Sequence, residues 1–263
     1  MEKYNVKFKK KFGQNFLKDK RIVNSIIKVA EINGRSLVIE VGPGGAILTS
    51  SLCEVANRVI CYEIDNELEE ELNEKLYNYN NYEIIFKDFL DADILSDISK
   101  YDYDKLYFVS NVPYYITTPI IIKLLRSNIK FDKIVMMVQK ELGDRLSSVP
   151  GSKEYSSITA LLNYSYDIRR EFKVSRNEFI PIPNVDSVVI SLTPKDRIYL
   201  KDFDKYEKLL RDSFQFKRKT LRNNLRGYDL EKVENVLATY DYDLNVRAEE
   251  LDYSIFVDIA NSL

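Results

Sequence analysis

The sequence contains no histidine and no tryptophan, and only two cysteines among its 263 residues. Without imidazole the chain lacks both the commonest general base and the commonest metal ligand of proteins. Mechanisms that depend on histidine are therefore excluded, and we expect no metal site. Cys53 and Cys61 lie in apolar surroundings, which predicts buried free thiols rather than a disulfide.

Long hydrophobic runs are also missing. No stretch approaches the roughly 20 apolar residues that span a bilayer, and the first residues lack the apolar core of a signal peptide. We therefore expect a cytoplasmic protein with no membrane segment. No heptad pattern or apolar stripe demands a partner chain, so we also expect a monomer.

The net charge is only −2, which does not by itself indicate a nucleic-acid partner. The basic residues are nevertheless gathered in two clusters, one near each end of the chain. Their members are Lys7, Lys9, Lys10, Lys11, Lys18, Lys20 and Arg21, and then Lys217, Arg218, Lys219, Arg222 and Arg226. A single lysine is usually a solvated surface residue, but clusters of this kind favour a partner rich in phosphate.

Between about residues 21 and 140, short apolar segments alternate with segments of helical period, which predicts parallel strands joined by helices. The pattern is that of a doubly wound α/β sheet. The five predicted strands are SLVIEVG, RVICYEID, YEIIFKD, KLYFVSN and DKIVMMVQ. Two later segments, REFKVS and DSVVISLTP, are predicted to pair at one edge of the sheet.

The character of the sequence changes after Pro194, where strand signals stop and helical period continues to the end. We therefore predict two domains. Residues 1–195 form an α/β domain, and residues 196–263 form a small all-helical domain.

Ligands of open parallel sheets bind at the carboxyl ends of the strands. Gly42 and Gly44 follow the first strand and permit a tight turn with close backbone approach to a ligand. Glu63 ends the second strand, where its carboxylate can accept both hydroxyls of a ribose. Asp88 follows the third and can accept from the amine of adenine, with Phe89 placed to lie against the ring. Together these strand ends predict an adenosine-containing ligand.

The fourth strand ends in NVPYY, in which Asn111 offers an amide carbonyl, the Val112–Pro113 turn fixes a backbone carbonyl and Tyr114 offers a flat face. An amino group on an aromatic base is a poor nucleophile, because its lone pair is delocalised. Two acceptors on its N–H bonds, with the base stacked on an aromatic ring, favour attack on an electrophilic methyl group. The segment thus predicts methyl transfer from a sulfonium donor to a flipped or single-stranded base. The alternative is a strand-ending turn with Tyr114 in the core.

One resemblance runs through most of the chain. It covers FGQNFL, EVGPGGAILT, YEID, KDFL, NVPYYITTPII, MVQKELGDRLSSVPGSKEYSS, FIPIPNVDSVV, FQFKRKTLRNNL and RAEEL. These segments resemble the bacterial small-subunit (16S) ribosomal RNA adenine dimethyltransferases, which convert two adjacent adenosines near the 3′ end to N6,N6-dimethyladenosine. The related 23S methyltransferases of macrolide resistance share the first five motif regions. Val112 stands where Leu is usual, and Ala46 where many methyltransferases have a third glycine; both exchanges leave the turn possible.

The resemblance implies a Rossmann-like methyltransferase sheet that uses S-adenosylmethionine, and it assigns roles to matching residues. Asn111 and Pro113 would supply acceptors for the adenine N6, while Tyr114 stacks the target base. Gln14 and Phe16 would belong to a lid over the cofactor. The cofactor itself would be held by Asn15, Leu17, Gly42, Glu63, Asp88 and Asn111.

The partner implied by the resemblance is 16S rRNA within the small ribosomal subunit, and the basic clusters would then bind its phosphates. We expect several of these cations to lie on a helix of the second domain, and Arg145, Lys153 and Tyr155 to lie in a loop that shapes the RNA entrance. The RNA-binding residues predicted in this way are Lys10, Lys11, Arg145, Lys153, Lys217, Arg218 and Arg222.

Other functions stay open at this point. The chain can be a non-catalytic ribosome-assembly or nucleic-acid-binding factor, although a pure binder has no need of the cofactor residues together. It can also methylate adenine in 23S rRNA or in DNA, since the acceptor chemistry is the same. A dinucleotide oxidoreductase would explain the two glycines but not NVPYY.

Overall fold

The computed structural model describes residues 15–33 and 35–263. In these ranges the chain forms nine strands and eleven α-helices. The strands are β1 Phe16–Leu17, β2 Ser36–Val41, β3 Arg58–Glu63, β4 Tyr82–Phe86, β5 Lys105–Asn111, β6 Lys133–Gln139, β7 Tyr166–Val174, β8 Phe179–Ile180 and β9 Ser187–Pro194. The helices are α1 Lys20–Ala30, α2 Ile47–Val55, α3 Glu69–Lys75, α4 Ile94–Ile98, α5 Thr117–Arg126, α6 Lys140–Leu146, α7 Ser157–Asn163, α8 Phe203–Ser213, α9 Leu221–Asn224, α10 Leu230–Ala238 and α11 Tyr253–Ser262.

Seven of the described strands form one sheet in the order β4-β3-β2-β5-β6-β9-β7. The first five are parallel to one another, and β9 is antiparallel to β6. The chain runs outward from β2 to β4 and then returns to the other side of β2 as β5, so the order reverses between β2 and β5. The predicted doubly wound α/β sheet is confirmed, as is the pair of later strands at its edge.

Helix α1 shows how the sequence builds this layer. Asp19 caps its first turn by accepting from the backbone N–H of Arg21 at 2.8 Å. Val23, Ile26 and Ala30 recur at helical spacing, and all three are buried in one cluster with residues of the parallel strands. The central strands are mostly apolar because both faces of the sheet are covered there; every residue of β2 is buried.

A separate two-stranded sheet joins the start of the described chain to a distant segment. β1 pairs antiparallel with β8, with Phe16 opposite Ile180 and Leu17 opposite Phe179. The backbone N–H of Lys18 extends this pairing to a 2.9 Å bond with the carbonyl of Glu178. Residues 16–18 are therefore fixed by a segment, residues 178–180, that lies far along the chain.

By its internal contacts the chain divides into two compact units. The first comprises the chain up to Gly143 together with Arg169–Thr193, and the second comprises Asp144–Ile168 together with Pro194–Leu263. The predicted boundary at 195/196 lies beside the last of the three junctions, between Thr193 and Pro194. Sequence patterns did not indicate that residues 144–168 group with the C-terminal helices.

Aromatic contacts explain that grouping. The ring of Tyr164, just after α7, lies 5.5 Å from that of Tyr206 and 6.2 Å from that of Phe203, both on α8. Tyr155 lies 6.0 Å from Phe214 in the same unit. Such ring pairs stabilise the fold by more than the burial of their surface area alone would give.

No helix within the described ranges is long and apolar enough to cross a membrane.

Candidate active site

A pocket opens at the carboxyl ends of β2, β3, β4 and β5, where the strand order reverses. We call it the strand-end pocket. Pro113 and Tyr114 line it, and so does every residue for which the sequence predicted a cofactor contact. These are Asn15, Leu17, Gly42, Glu63, Asp88 and Asn111. Parallel strands end at one edge of a sheet, so residues from distant parts of the sequence meet there.

The turn after β2 brings two glycines with special backbone geometry to the pocket. Gly42 and Gly44 both have positive φ, at 73° and 50°, a conformation that favours glycine. A Cβ on Gly44 would lie 2.7 Å from the Phe16 ring, and one on Gly42 would lie 3.4 Å from Pro113. Ala46, at the position of the third glycine in many methyltransferases, also has positive φ, at 61°.

Glu63 is the carboxylate at the end of β3, and it is 5% exposed. One oxygen accepts from the backbone N–H of Asp65 at 3.0 Å, and the other accepts from that of Gly44 at 3.4 Å. Burial raises the pKa of Glu63, and these two backbone hydrogen bonds partly offset the rise. The carboxylate is thereby fixed in orientation beside the glycine turn.

A second carboxylate, Glu40, lies in the wall of the pocket, and the sequence analysis did not single it out. It is 1% exposed on β2, and the thiol of Cys61 contacts its Oε2 at 3.7 Å. Burial raises the pKa of Glu40 to about 8, and the nearby charge of Glu63 adds to the rise. Glu40 is therefore mostly protonated at neutral pH. The signal that would have found it is a charged residue inside an otherwise apolar strand.

Asp88 follows β4 and caps the short turn after it, since its Oδ1 accepts from the backbone N–H of Leu90 at 2.8 Å. Phe89 also lines the pocket, but it is 2% exposed. Its ring packs edge-on against Tyr62 at 5.1 Å and lies 6.0 Å from Phe108. The predicted role of Phe89 as a face for adenine is thus weakened, because the ring belongs to the core.

Asn111, the last residue of β5, is oriented by the described start of the chain. Its side-chain Nδ2 donates to the backbone carbonyl of Asn15 at 3.2 Å. This bond commits the NH₂ group and leaves the side-chain oxygen as an available acceptor. The orientation matches the acceptor role predicted from the sequence.

The free backbone carbonyl beside Asn111 is not that of Pro113, as the sequence predicted. The carbonyl of Pro113 accepts from the N–H of Ile116 and from the hydroxyl of Thr117, both at 3.2 Å. These bonds occupy its two lone pairs and close the turn that leads into α5. Val112 also lines the pocket, and its carbonyl accepts no hydrogen bond within the described ranges. The free carbonyl of the turn therefore belongs to Val112 rather than to Pro113.

Tyr114 is half-buried and lines the pocket. Its hydroxyl shares a 2.5 Å hydrogen bond with the hydroxyl of Ser187, the first residue of β9. This bond fixes the ring at the pocket, so the alternative in which Tyr114 lies wholly in the core does not describe this site. Burial raises the pKa of Tyr114, which keeps the phenol neutral.

The predicted RNA-binding residues differ in their exposure to solvent, and two of them are not described by the structure. Lys10 and Lys11, like Gln14 of the predicted lid, lie outside the described residues. Lys153 is exposed and Arg145 on α6 is half-buried. Tyr155 is 2% exposed against Phe214 and does not face solvent, so its predicted role at an RNA entrance is not supported.

Lys217 and Arg218 do not lie on a helix, as the sequence had predicted. Helix α8 ends at Ser213 and α9 begins at Leu221, and residues 215–219 between them form an exposed loop. We call these five residues the basic loop. Arg222 lies on α9 and forms a 3.5 Å ion pair with Glu234. The Asn224 side chain donates to the carbonyl of Ser213 at 2.7 Å and stabilises the turn that follows α8.

Sequence reasoning missed the partners that come from far along the chain. Phe179 and Ile180 pair with residues 16 and 17, and Ser187 holds the hydroxyl of Tyr114. Tyr115, 49% exposed, also lines the pocket. The segment FIPIPNVDS was recognised in the sequence, but nothing local in it indicates these contacts.

Residues 5–263 match the family model described as ribosomal RNA adenine dimethylase. The ribosomal RNA small subunit methyltransferase A of Ligilactobacillus salivarius (strain UCC118) is 40% identical over 274 residues, covering 100% of this chain and 92% of the relative. The protein of the same name from Macrococcus caseolyticus (strain JCSC5402) is 42% identical over 228 residues, covering 85% of this chain and 77% of that protein.

Two solved structures of related enzymes superpose on this chain over nearly its whole length. A dimethyladenosine transferase from Plasmodium falciparum superposes with a TM-score of 0.79 at 29% identity, covering 93% of this chain and 95% of that one. The 23S rRNA methyltransferase ErmE superposes with a TM-score of 0.73 at 26% identity, covering 94% of this chain and 99% of that one.

Proposed function

The chain belongs to the ribosomal RNA adenine dimethylase family, and we propose that it dimethylates N6 of two adjacent adenosines near the 3′ end of 16S rRNA. Family membership confirms the predicted enzyme class and the dependence on S-adenosylmethionine. The observation that carries the proposal for this chain is the strand-end pocket, where an oriented Asn111 meets a free backbone carbonyl and a fixed tyrosine ring.

The pocket fits S-adenosylmethionine at the level of its donor set. The turn at Gly42 and Gly44 brings the backbone to the pocket at positions where φ is positive, and the buried carboxylate of Glu63 lies beside it, where it would accept from ribose hydroxyls. Asp88 would accept from the adenine amine with its second oxygen, and Asn15 and Leu17 would close the side of the pocket. When bound, the cofactor supplies an electrophilic methyl group on a positively charged sulfur.

To bind the target adenine, the pocket needs two hydrogen-bond acceptors for the N6 amino group and one flat side-chain face on which the base can stack. We assign the acceptors to the side-chain oxygen of Asn111 and the backbone carbonyl of Val112, with Pro113 holding the turn rigid. Bonded to both N–H groups of adenine, they direct the nitrogen lone pair out of the ring plane. Tyr114 would stack on the base, and its bond to Ser187 holds the ring in advance of binding.

No strong base is required by this arrangement. The proton that N6 loses becomes acidic only as the new bond forms, so it can pass to water after transfer. This agrees with a chain that has no histidine and with phenols whose pKa values are raised rather than lowered at the pocket.

Two relatives at 40% and 42% identity carry the name of a small-subunit methyltransferase, and the likeness to a 23S enzyme is at 26%. This difference favours the small subunit as the target over the large one. The proposal includes action as a monomer in the cytoplasm, where ribosomal subunits are assembled. The basic residues of the second unit would hold phosphates of the rRNA. A non-catalytic role is not favoured, because the pocket retains its full set of polar groups.

The test is transfer of radiolabelled methyl from S-adenosylmethionine to four acceptors in parallel. These are immature small subunits that lack the modification, naked 16S rRNA, large subunits and DNA. We expect label in N6,N6-dimethyladenosine on the small-subunit substrate, identified by nucleoside analysis. Label on large subunits or DNA alone would refute the proposed target, and no label on any acceptor despite cofactor binding would refute the proposed activity.

A further inference from the structure

The basic loop carries an aromatic side chain in an unusual setting. Phe216 is 55% exposed, whereas its neighbour Phe214 packs against the rings of Tyr155 and Phe256 at 6.0 and 5.8 Å. No ring contact involves Phe216 within the described ranges. Two phenylalanines two positions apart thus differ, since Phe214 is half-buried against other rings and Phe216 is exposed.

The exposure of Phe216 is imposed by a defined backbone. The side-chain oxygen of Asn224 accepts from the N–H of Phe216 at 3.2 Å, and its NH₂ group donates to the carbonyl of Ser213 at 2.7 Å. The N–H of Lys219 closes the turn by donating to the carbonyl of Phe216 at 2.8 Å. Asn224 on α9 thus holds the backbone at Ser213 and Phe216, and the phenyl ring of Phe216 stays exposed.

The charges around this ring are unpaired. Lys217, Arg218 and Lys219 are exposed, and none of them forms an ion pair within the described ranges. Nearby basic residues behave differently, since Arg222 pairs with Glu234 and Lys208 pairs with Asp212 at 2.8 Å. Three adjacent cations without counterions create a local positive potential that attracts a polyanion.

We propose that Phe216 is a stacking site for an unpaired RNA base, with the cations of the basic loop neutralising the phosphates on either side of it. The inference rests on the proposed function only in taking RNA as the partner. Cations alone would account for phosphate binding; the exposed ring adds a face that a base can cover. Aromatic stacking of this kind accepts any base and requires a single-stranded segment, so the site selects unpaired RNA rather than a sequence.

The chain offers a direct reporter, because it contains no tryptophan. In Phe216→Trp the new indole is the sole tryptophan, and its fluorescence is quenched when a base stacks on it. Tyr77→Trp is the matched control, since Tyr77 is 85% exposed beside the acidic helix α3. Each variant is titrated with an unstructured oligoribonucleotide, with the same sequence as a duplex and with inorganic polyphosphate, while filter retention follows binding of the labelled RNA.

We expect strong quenching of Phe216→Trp by the single strand, weak quenching by the duplex and none by polyphosphate, with no change in Tyr77→Trp. Phe216→Ala should weaken single-strand binding roughly tenfold without changing its dependence on salt, and Phe216→Tyr should restore it. Unquenched tryptophan at RNA concentrations that saturate filter retention would overturn the proposal, as would equal quenching by polyphosphate or the absence of RNA binding.

These readouts need no cofactor and no methyl transfer, so they separate the two proposals. Methyl transfer to small subunits with an unquenched Phe216→Trp would overturn the stacking site and leave the proposed function intact. Quenching by single strands in a chain that methylates none of the four acceptors would support the stacking site and overturn the proposed function.

Discussion

The strand-end pocket and the basic loop hold their charged groups in opposite ways. In the pocket, Glu63 is 5% exposed and bonded to two backbone N–H groups. In the loop, Lys217 and Arg218 are exposed and form no ion pair within the described ranges. Burial and fixed hydrogen bonds prearrange a group for one small ligand, whereas exposed cations attract any polyanion that approaches. We therefore expect the two regions to have separate tasks, so that each can be altered without the other.

The largest effect is expected from Asn111→Ala. The substitution removes one of the two acceptors for N6 and the bond to the Asn15 carbonyl. We expect methyl transfer to fall about 10²- to 10³-fold in rate, with the fold retained and cofactor binding only partly weakened. Asn80→Ala, at an exposed position, is the control and should be unchanged. Full activity of Asn111→Ala, measured by label transfer, would remove the proposed mechanism.

The next largest effect is expected at Glu40, and it concerns how the free energy of unfolding depends on pH. Its pKa is raised by burial to about 8, above the roughly 4.3 of an unfolded glutamate. The folded protein therefore holds a proton that the unfolded chain releases, and stability falls as the pH rises from about 4.5 to 8. Glu40→Gln should abolish this loss, so its advantage over the parent protein should grow to the order of a few kcal/mol between pH 5 and 8.

Urea unfolding of the cofactor-free protein at pH 5 and pH 8 measures this difference. Glu70→Gln, at an exposed position on α3, should give the same shift at both pH values. An equal difference between Glu40→Gln and the parent protein at both pH values would mean that Glu40 titrates normally.

The basic loop should respond to salt rather than to pH. Neutralising Lys217 and Arg218 together, as Lys217→Gln with Arg218→Gln, should reduce the slope of log affinity against log salt by about 0.7 for each phosphate that is no longer neutralised. Affinity for the RNA should fall about tenfold at low salt, while the dissociation constant for S-adenosylmethionine stays the same. Lys28→Gln with Lys130→Gln, both exposed and both in the first unit, is the charge-matched control. An unchanged salt slope would exclude the loop from RNA binding.

The smallest effect concerns Ala46, which has a positive φ of 61° before α2. A left-handed alanine costs about 1–2 kcal/mol, and glycine removes that cost while gaining freedom in the unfolded chain. Ala46 is also 2% exposed, so the substitution removes a buried methyl group at a cost of about 0.8 kcal/mol, and Ala46→Gly should change stability by less than about 1 kcal/mol in urea unfolding. Ala160→Gly, at a buried position inside α7, loses the same group without relief of a left-handed φ and should destabilise the protein by about 1–2 kcal/mol more than Ala46→Gly. Equal destabilisation by both would show that Ala46 is not strained.

The sequence predicted the pocket better than the loop for a physical reason. Glu63, Asp88 and Asn111 could be placed because strand ends are marked by local patterns and parallel strands end at one edge. The path of residues 215–219 depends on the side chain of Asn224. This side chain bonds the backbone of Ser213 and Phe216, and such bonds offer the backbone an alternative to helical hydrogen bonds. FQFKRKTLRNNL has many good helix formers, so propensity favoured a helix where a turn is found.

Contacts between distant segments were also beyond sequence reasoning. Ser187 on β9 bonds the hydroxyl of Tyr114, and β1 pairs with β8 in a separate two-stranded sheet; in both cases the partners are far apart in the sequence. The choice of Val112 over Pro113 as the free carbonyl needed the hydrogen bonds of the turn itself. The sequence placed a free carbonyl in this turn, and the hydrogen bonds locate it one residue earlier.

The separation of tasks is tested most directly by saturation curves of methyl transfer against immature small subunits, at saturating S-adenosylmethionine. We predict that Lys217→Gln with Arg218→Gln raises KM and leaves kcat unchanged, whereas Asn111→Ala lowers kcat by about 10²-fold or more with little change in KM. A loop variant that lowers kcat at unchanged KM, or an Asn111→Ala enzyme that retains the parent kcat, would contradict the account.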